Sequence, residues 1–178
     1  ALHEPKGVAT ANSGEAYVAN GTGSGTWQPI HRHLGAATAY NSTSPYAYSI
    51  ETNIEEKYLS FPVASSHVEG FTVVTSPRLS FRYDDPTEVT SLINLTMSSS
   101  QAGGTNHEVE WALFKNGVEI VGSRAIRTIS SGSWGSISVT AVTTLNQNDF
   151  IEIKTKADVD NVDVNYANIY VSIIGMSA

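Results

Sequence analysis

The chain predicts an all-β fold, an antiparallel jelly-roll sandwich behind an extended N-terminal arm. Three observations carry that expectation. From about Tyr46 onward, short apolar-alternating runs are broken by Pro, Gly, Asp and Ser, with hardly any sustained helical period. Asn116-Gly117 stands between two such runs, and a type I′ hairpin turn needs positive φ at both central residues, which Asn and Gly tolerate best. The first 30 residues differ from the rest: they are rich in Gly and Ala, with one short apolar patch around Tyr17 and Val18. At 178 residues the chain suits one domain with an appended arm, here 1–30 for the arm and glycine-rich hinge and 31–178 for the jelly roll.

The clearest strand is "HEVEWALFK", in which Val109, Trp111 and Leu113 share one parity and Glu108 and Glu110 the other, giving a core side and a polar side. "SISVTAV" follows with Ile137, Val139 and Ala141 inward, and "DFIEIKTKA" with Ile151 and Ile153 opposed to Glu152, Lys154 and Lys156. Earlier come "YAYSIE", "KYLSFP", "GFTVVT", "RLSFRY" and "EVTSLINLTM", each bounded by turn residues. Roughly ten strands in about 130 residues is the density of a sandwich.

The last strand, "VDVNYANIYVSIIG", changes parity midway. Val162, Val164 and Tyr166 share one parity, Ile169, Val171 and Ile173 the other, and Tyr170 and Ile174 keep the first. This predicts a strand buried on both faces, one against the core and one against a sister subunit, because an apolar face left wet is an aggregation hazard. Tyr166, Asn168 and Tyr170 are the candidate trimer interface and Ile169, Val171 and Ile173 the core, with the opposite assignment open.

Composition excludes several functions. Ten Lys and Arg against seventeen Asp and Glu, a net charge of −7, argue against a phosphate-backbone binder. There is no cysteine, hence no disulfide framework and no zinc-thiolate site. No apolar run approaches the roughly 20 residues of a membrane span, and "ALHEPKGV" lacks the basic start and apolar region of a secretory signal, which predicts synthesis in the cytoplasm with Ala1 as the mature start. The sequons at Asn20, Asn41 and Asn94 then carry no glycosylation.

Chemical motifs are weak. Gly21-x-Gly23-x-Gly25 lacks the spacing of a dinucleotide fingerprint and runs into Trp27-Gln28-Pro29, so it reads as a hinge with Trp27 as the anchor beyond it. His31-Arg32-His33 could place two imidazoles on one side of a strand, but no local carboxylate completes a metal set. Asp158, Asp160 and Asp163 lack the glycine turn and distal Glu of a calcium loop. Neither a nucleophile elbow nor a metalloprotease helix is present. The expectation is a non-enzyme without metal or cofactor.

Two stretches, "HEPKGVATANSGEAYVANGTGSGTWQPI" and "EWALFKNGVEI…SRAIRTI…GSISVTAVTTLNQNDFIEIKTKA…VNYANIYVSIIG", resemble tailed-bacteriophage virion proteins, specifically capsid decoration or cement proteins. Residues 88–178 are similar to the TNF/C1q-like jelly-roll modules of such proteins, with their "FKNG" hairpin and "NDF" strand start. The resemblance implies a homotrimer on the capsid exterior that adds contacts between major capsid protein subunits. In that reading Leu2, His3, Pro5, Lys6, Val8, Tyr17, Val18 and Trp27 form the capsid-binding arm, becoming ordered only against a partner. The alternative is a tail or head fibre module that binds a receptor or glycan, for which Trp134, Tyr40, Tyr46 and Tyr48 would be exposed on loops.

Overall fold

The computed structural model describes residues 15–19, 25–29, 35–41, 46–50, 57–60, 63–75 and 77–176. By its contacts the chain divides into two units, Ala1–Arg32 and His33–Ala178. The first contains an antiparallel hairpin of β1 (Glu15–Ala19) and β2 (Gly25–Pro29), with Tyr17 opposite Trp27 and Val18 opposite Thr26. This departs from the extended arm expected from sequence, since two segments of it pair with each other. Gly25, read as part of a hinge, is the first residue of β2. Leu2, His3, Pro5, Lys6 and Val8 lie outside the described residues.

The second unit holds thirteen strands among its described residues: β3 (Ala36–Asn41), β4 (Tyr46–Ile50), β5 (Lys57–Tyr58), β6 (Ala64–Glu69), β7 (Phe71–Val74), β8 (Ser80–Tyr83), β9 (Val89–Gln101), β10 (His107–Lys115), β11 (Val118–Glu119), β12 (Ala125–Ile129), β13 (Gly135–Leu145), β14 (Phe150–Ala157) and β15 (Val162–Met176). Sheet A has the order β11-β10-β14-β8-β7, with β12 also on β10 and β5 also on β14. Sheet B has the order β13-β9-β15-β3-β6, with β4 also on β15. All these pairings are antiparallel.

The alternation read from the sequence sets the core. Val109, Trp111 and Leu113 from β10, Ile151 and Ile153 from β14, and Phe81 and Tyr83 from β8 meet Ile93, Leu95 and Met97 from β9, Val139 from β13 and Val171 and Ile173 from β15 in one apolar cluster. Burial of this kind is worth about 1.5–3 kcal/mol per large side chain. One polar device lies within it. Trp111 Nε1 donates to the Tyr166 hydroxyl at 3.1 Å, the two rings meeting edge-on at 6.5 Å, so a polar handle from each sheet is satisfied by the other. Burial pushes the Tyr166 hydroxyl up to about 12, with hydrogen bonds to Thr155 and Trp111 acting the other way.

The parity change in β15 has a cause the sequence reading missed. Ala167 faces Ser98 of β9 and Tyr170 faces Thr96, so Asn168 and Ile169 together oppose the single residue Met97. This is a β-bulge, and Asn168 takes φ of 50°, a left-handed conformation that Asn tolerates better than most residues. The extra residue moves the core series from Val162, Val164 and Tyr166 to Ile169, Val171 and Ile173, all buried. Within one chain the parity change therefore comes from the bulge, and both apolar series face the same core. Tyr166 in particular is corrected from the subunit interface to the core, since it is fully enclosed and bonded to Trp111. Asn168 and Tyr170 remain exposed.

If the bulge sets the register, Asn168→Gly should fold with a melting temperature within a few degrees of the parent, because glycine accepts the same φ. Asn168→Val should lose about 1–3 kcal/mol. Deleting Asn168 should abolish the cooperative transition in thermal circular dichroism, because one apolar half of β15 would be turned to water.

Candidate interaction surface

The "FKNG" turn and the "NQND" turn, far apart in sequence, are fastened to each other. Asn116 and Gly117 have φ of 50° and 81°, as a type I′ turn requires, and Lys115 pairs with Val118 across it. Asn116 Nδ2 donates to Asp149 Oδ1 at 2.6 Å, and its Oδ1 accepts from the Phe150 amide at 3.0 Å. Asp149 Oδ2 accepts from the Asn146 amide at 2.9 Å and lies 2.8 Å from Lys115 Nζ, which also donates to the Thr144 carbonyl at 2.7 Å. Burial acts to raise the Asp149 carboxyl, but the Asn146 amide, Lys115 and Asn116 outweigh it and hold it below its ordinary value of 3.8.

The clamp presents an apolar tip. Val118 is 71% and Val121 97% exposed. Beside them lies an open groove of ≈ 400 Å³, lined by Val118, Ile120 and Val121 together with Lys115, Asn116, Glu119 and, from the facing sheet, Thr143.

A broader apolar surface covers the outward side of sheet B. Beyond the bulge, β15 turns Tyr170, Ser172, Ile174 and Met176 away from the core. Tyr170 sits beside Tyr40 on β3 and Thr96 on β9. Ile174 sits beside Ala36 and Leu92, and Leu92 beside Val142 on β13. Tyr170 is 44%, Ile174 47% and Val142 54% exposed. Between the tyrosine pair, whose row continues through Thr96 and Ser138, and the apolar row runs a polar one, Thr38–Ser172–Asn94–Thr140, in which Thr140 Oγ1 donates to Asn94 Oδ1 at 2.9 Å. Exposed apolar residues lying side by side on one sheet face are what an assembly or docking surface offers.

On the outward side of sheet A, Glu152 is fully enclosed although its alternation had marked it as solvent-facing. Arg78 Nε lies 2.8 Å from its Oε1, close enough for charge pairing but not aligned as a hydrogen bond, and neither oxygen accepts one among the described residues. The Arg78 guanidinium stands 4.9 Å from the centre of the Tyr58 ring and 5.2 Å from that of Phe150, and the Lys154 ammonium 4.6 Å from Tyr58 and 4.1 Å from Phe114. Alternating cations and rings thus roof the carboxylate. Burial pushes the Glu152 carboxyl up, with Arg78 and Lys154 opposing.

Tyr17, Val18 and Trp27 are paired in the N-terminal hairpin, while the other predicted arm residues and the His31/His33 pair lie outside the described residues. Tyr40 belongs to β3 and Tyr46 and Tyr48 to β4, so these are strand residues rather than loop aromatics, and only Trp134 of that set is on a loop. Asp158 pairs with His107 at 3.0 Å. No group of three or more His, Cys, Asp or Glu side chains converges as a metal set among the described residues.

Among solved structures, the chain is similar to the Eiger TNF of S. frugiperda, at 12% identity over 80% of this chain and 92% of that one, with a TM-score of 0.51. It is also similar to murine APRIL at pH 8.0, at 13% identity over 79% of this chain and 99% of that one, with a TM-score of 0.50. No family model and no curated protein matches the chain. The likeness shows the fold, a TNF-like jelly roll, as the sequence had indicated.

The half-buried Asp149 and the buried Glu152 should respond to pH in opposite directions. Asp149, with a lowered folded pKa, contributes stability that is fully present above its ordinary pKa and lost as pH falls through the lowered one. Asp149→Ala should cost about 1–3 kcal/mol at neutral pH, and the gap to the parent should close in strong acid. Glu152, with a raised pKa, loses stability as pH rises from its ordinary value of 4.5 through the raised one. The stability of Glu152→Gln relative to the parent should therefore improve between pH 4.5 and neutrality. Thermal melts from strong acid, well below pH 3.8, up to neutrality check both signs.

Proposed function

We propose that the chain is a homotrimeric structural protein of a bacteriophage virion, a decoration protein that binds the assembled major capsid protein lattice on the capsid exterior and stabilises the head. The observation that carries the reading is the outward face of sheet B, where Ile174, Leu92 and Val142 form an apolar row and Tyr40 and Tyr170 an aromatic pair, with a polar row between them. Closed cyclic association is the usual way to cover such a face without open-ended growth. The capsid as partner rests on the sequence resemblance of the N-terminal stretch and of residues 88–178.

The physical logic suits that role. A ligand that binds the assembled shell and not its free subunits stabilises the shell by mass action. Three N-terminal segments on one trimer attach with avidity, because the second and third bind at high effective concentration. In this reading Tyr170 and Asn168 belong to the subunit contact, and residues 1–20 with Tyr17 and Val18 to the capsid contact. No catalytic group or cofactor is required.

The test is co-sedimentation with undecorated capsids of the encoding phage, comparing the full chain with one lacking residues 1–20. The full chain should pellet with capsids and the truncated trimer should pellet much less. Equal occupancy would move the contact to the jelly roll, and failure of the full chain to pellet would end the capsid reading. Binding to host-cell glycans in place of capsids, lost on Trp134→Ala, would favour the fibre reading, since Trp134 stands 43% exposed on the loop before β13.

A further inference from the structure

We propose that Asn116 is a modification site, an amide prone to spontaneous deamidation that the Asp149 clamp protects and whose conversion releases the hairpin tip. An Asn followed by Gly is chemically labile because the glycine amide nitrogen can attack the asparagine side chain with no side chain in its way. In that step the Gly117 nitrogen bonds to Asn116 Cγ and gives up its proton through solvent base. The Cγ–Nδ2 bond breaks, and ammonia leaves with a solvent proton. Water then opens the cyclic imide at either carbonyl, leaving aspartate or isoaspartate. No electron transfer is involved, and water is the only co-reactant.

The surroundings of the turn decide how fast this runs. On the Gly117 side nothing hinders it, since no atom lies within 4 Å of where a Cβ would stand. On the Asn116 side the amide is held at both ends, Nδ2 by Asp149 Oδ1 at 2.6 Å and Oδ1 by the Phe150 amide at 3.0 Å. Bringing Cγ onto the Gly117 nitrogen requires the side chain to turn and both bonds to break. The reaction therefore proceeds only from a locally opened hairpin.

The product cannot resume its place. A carboxylate at position 116 has no hydrogen to donate and would sit where Nδ2 now lies 2.6 Å from the Asp149 carboxylate. Lys115, 2.8 Å from Asp149 Oδ2, is a single cation between two anions. Isoaspartate also lengthens the backbone of a two-residue turn, which the Lys115–Val118 pairing does not accommodate. Either product loosens the tip that carries Val118 and Val121, making the change a one-way, time-dependent alteration of an exposed apolar surface.

The experiment is ageing of the full chain at mildly alkaline pH, with peptide mapping for the gain of about one dalton at Asn116 and for isoaspartate. The same sequence as a free peptide is the reference. The native chain should react about tenfold or more slowly than the peptide, and Asp149→Ala should bring the rate close to it. Equal rates in native chain and peptide, or an unchanged rate in folded Asp149→Ala, would overturn the proposal. Should that variant fail to fold, Asn116→Asp decides. It should melt several degrees below the parent at neutral pH and approach it once the carboxyls are protonated, and parental stability at neutral pH would contradict the clamp.

Discussion

Strand β15 crosses the middle of sheet B for fifteen residues, hydrogen-bonded on one side to β9 and on the other to β3 and β4. A strand so placed must present an apolar series to the core along its whole length, yet its sequence changes parity halfway. The one-residue excess at Asn168–Ile169 resolves the conflict by sending both halves inward. Its location follows from the neighbours. Asn41, the last residue of β3, pairs with Ile169, while β4 starts opposite Tyr166, so the bulge falls where one flanking strand gives way to the next. The same shift decides what faces outward. Past the bulge, Tyr170 and Ile174 point away from the core, one into the tyrosine pair with Tyr40 and the other into the apolar row with Leu92 and Val142. Core and interaction face are thus set together.

Asp149 performs a comparable service at the end of the sandwich. Hairpin tips are the least constrained part of a β-sandwich, with few long-range contacts to hold them. Here one carboxylate binds the β13–β14 turn to the β10–β11 turn through Lys115 and Asn116. The Phe-Lys-Asn-Gly and Asn-Asp-Phe segments that carried the family resemblance are therefore two halves of one structural device.

Long strands with clean alternation were legible in the sequence because burial of one face leaves a period of two. β9, β10, β13 and β14 are of this kind, and the Asn116-Gly117 turn declared itself through its chemistry. β3 and β6 were not legible. β3 is largely alanine, with Ala37 and Ala39 fully buried but too small to give an apolar rhythm, and β6 is a polar edge strand, Ala-Ser-Ser-His-Val-Glu. The enclosure of Glu152 was hidden because its roof, Arg78 and Tyr58, comes from remote segments. The bulge was partly legible: the parity change was visible, but one sequence does not separate a strand buried on both faces from a strand with one inserted residue. An Asn between the two series, in a residue type that tolerates positive φ, was the available signal.

The central claim is that the outward face of sheet B is covered by further copies of the chain. Light scattering of the intact protein tests it directly, alongside a variant with Tyr170→Glu and Ile174→Lys. The account predicts a particle of three times the 19.0 kDa chain mass for the parent and a folded single chain for the variant. A parent protein that stays soluble as one chain at working concentration, with its mass unaffected by the two substitutions, would contradict it.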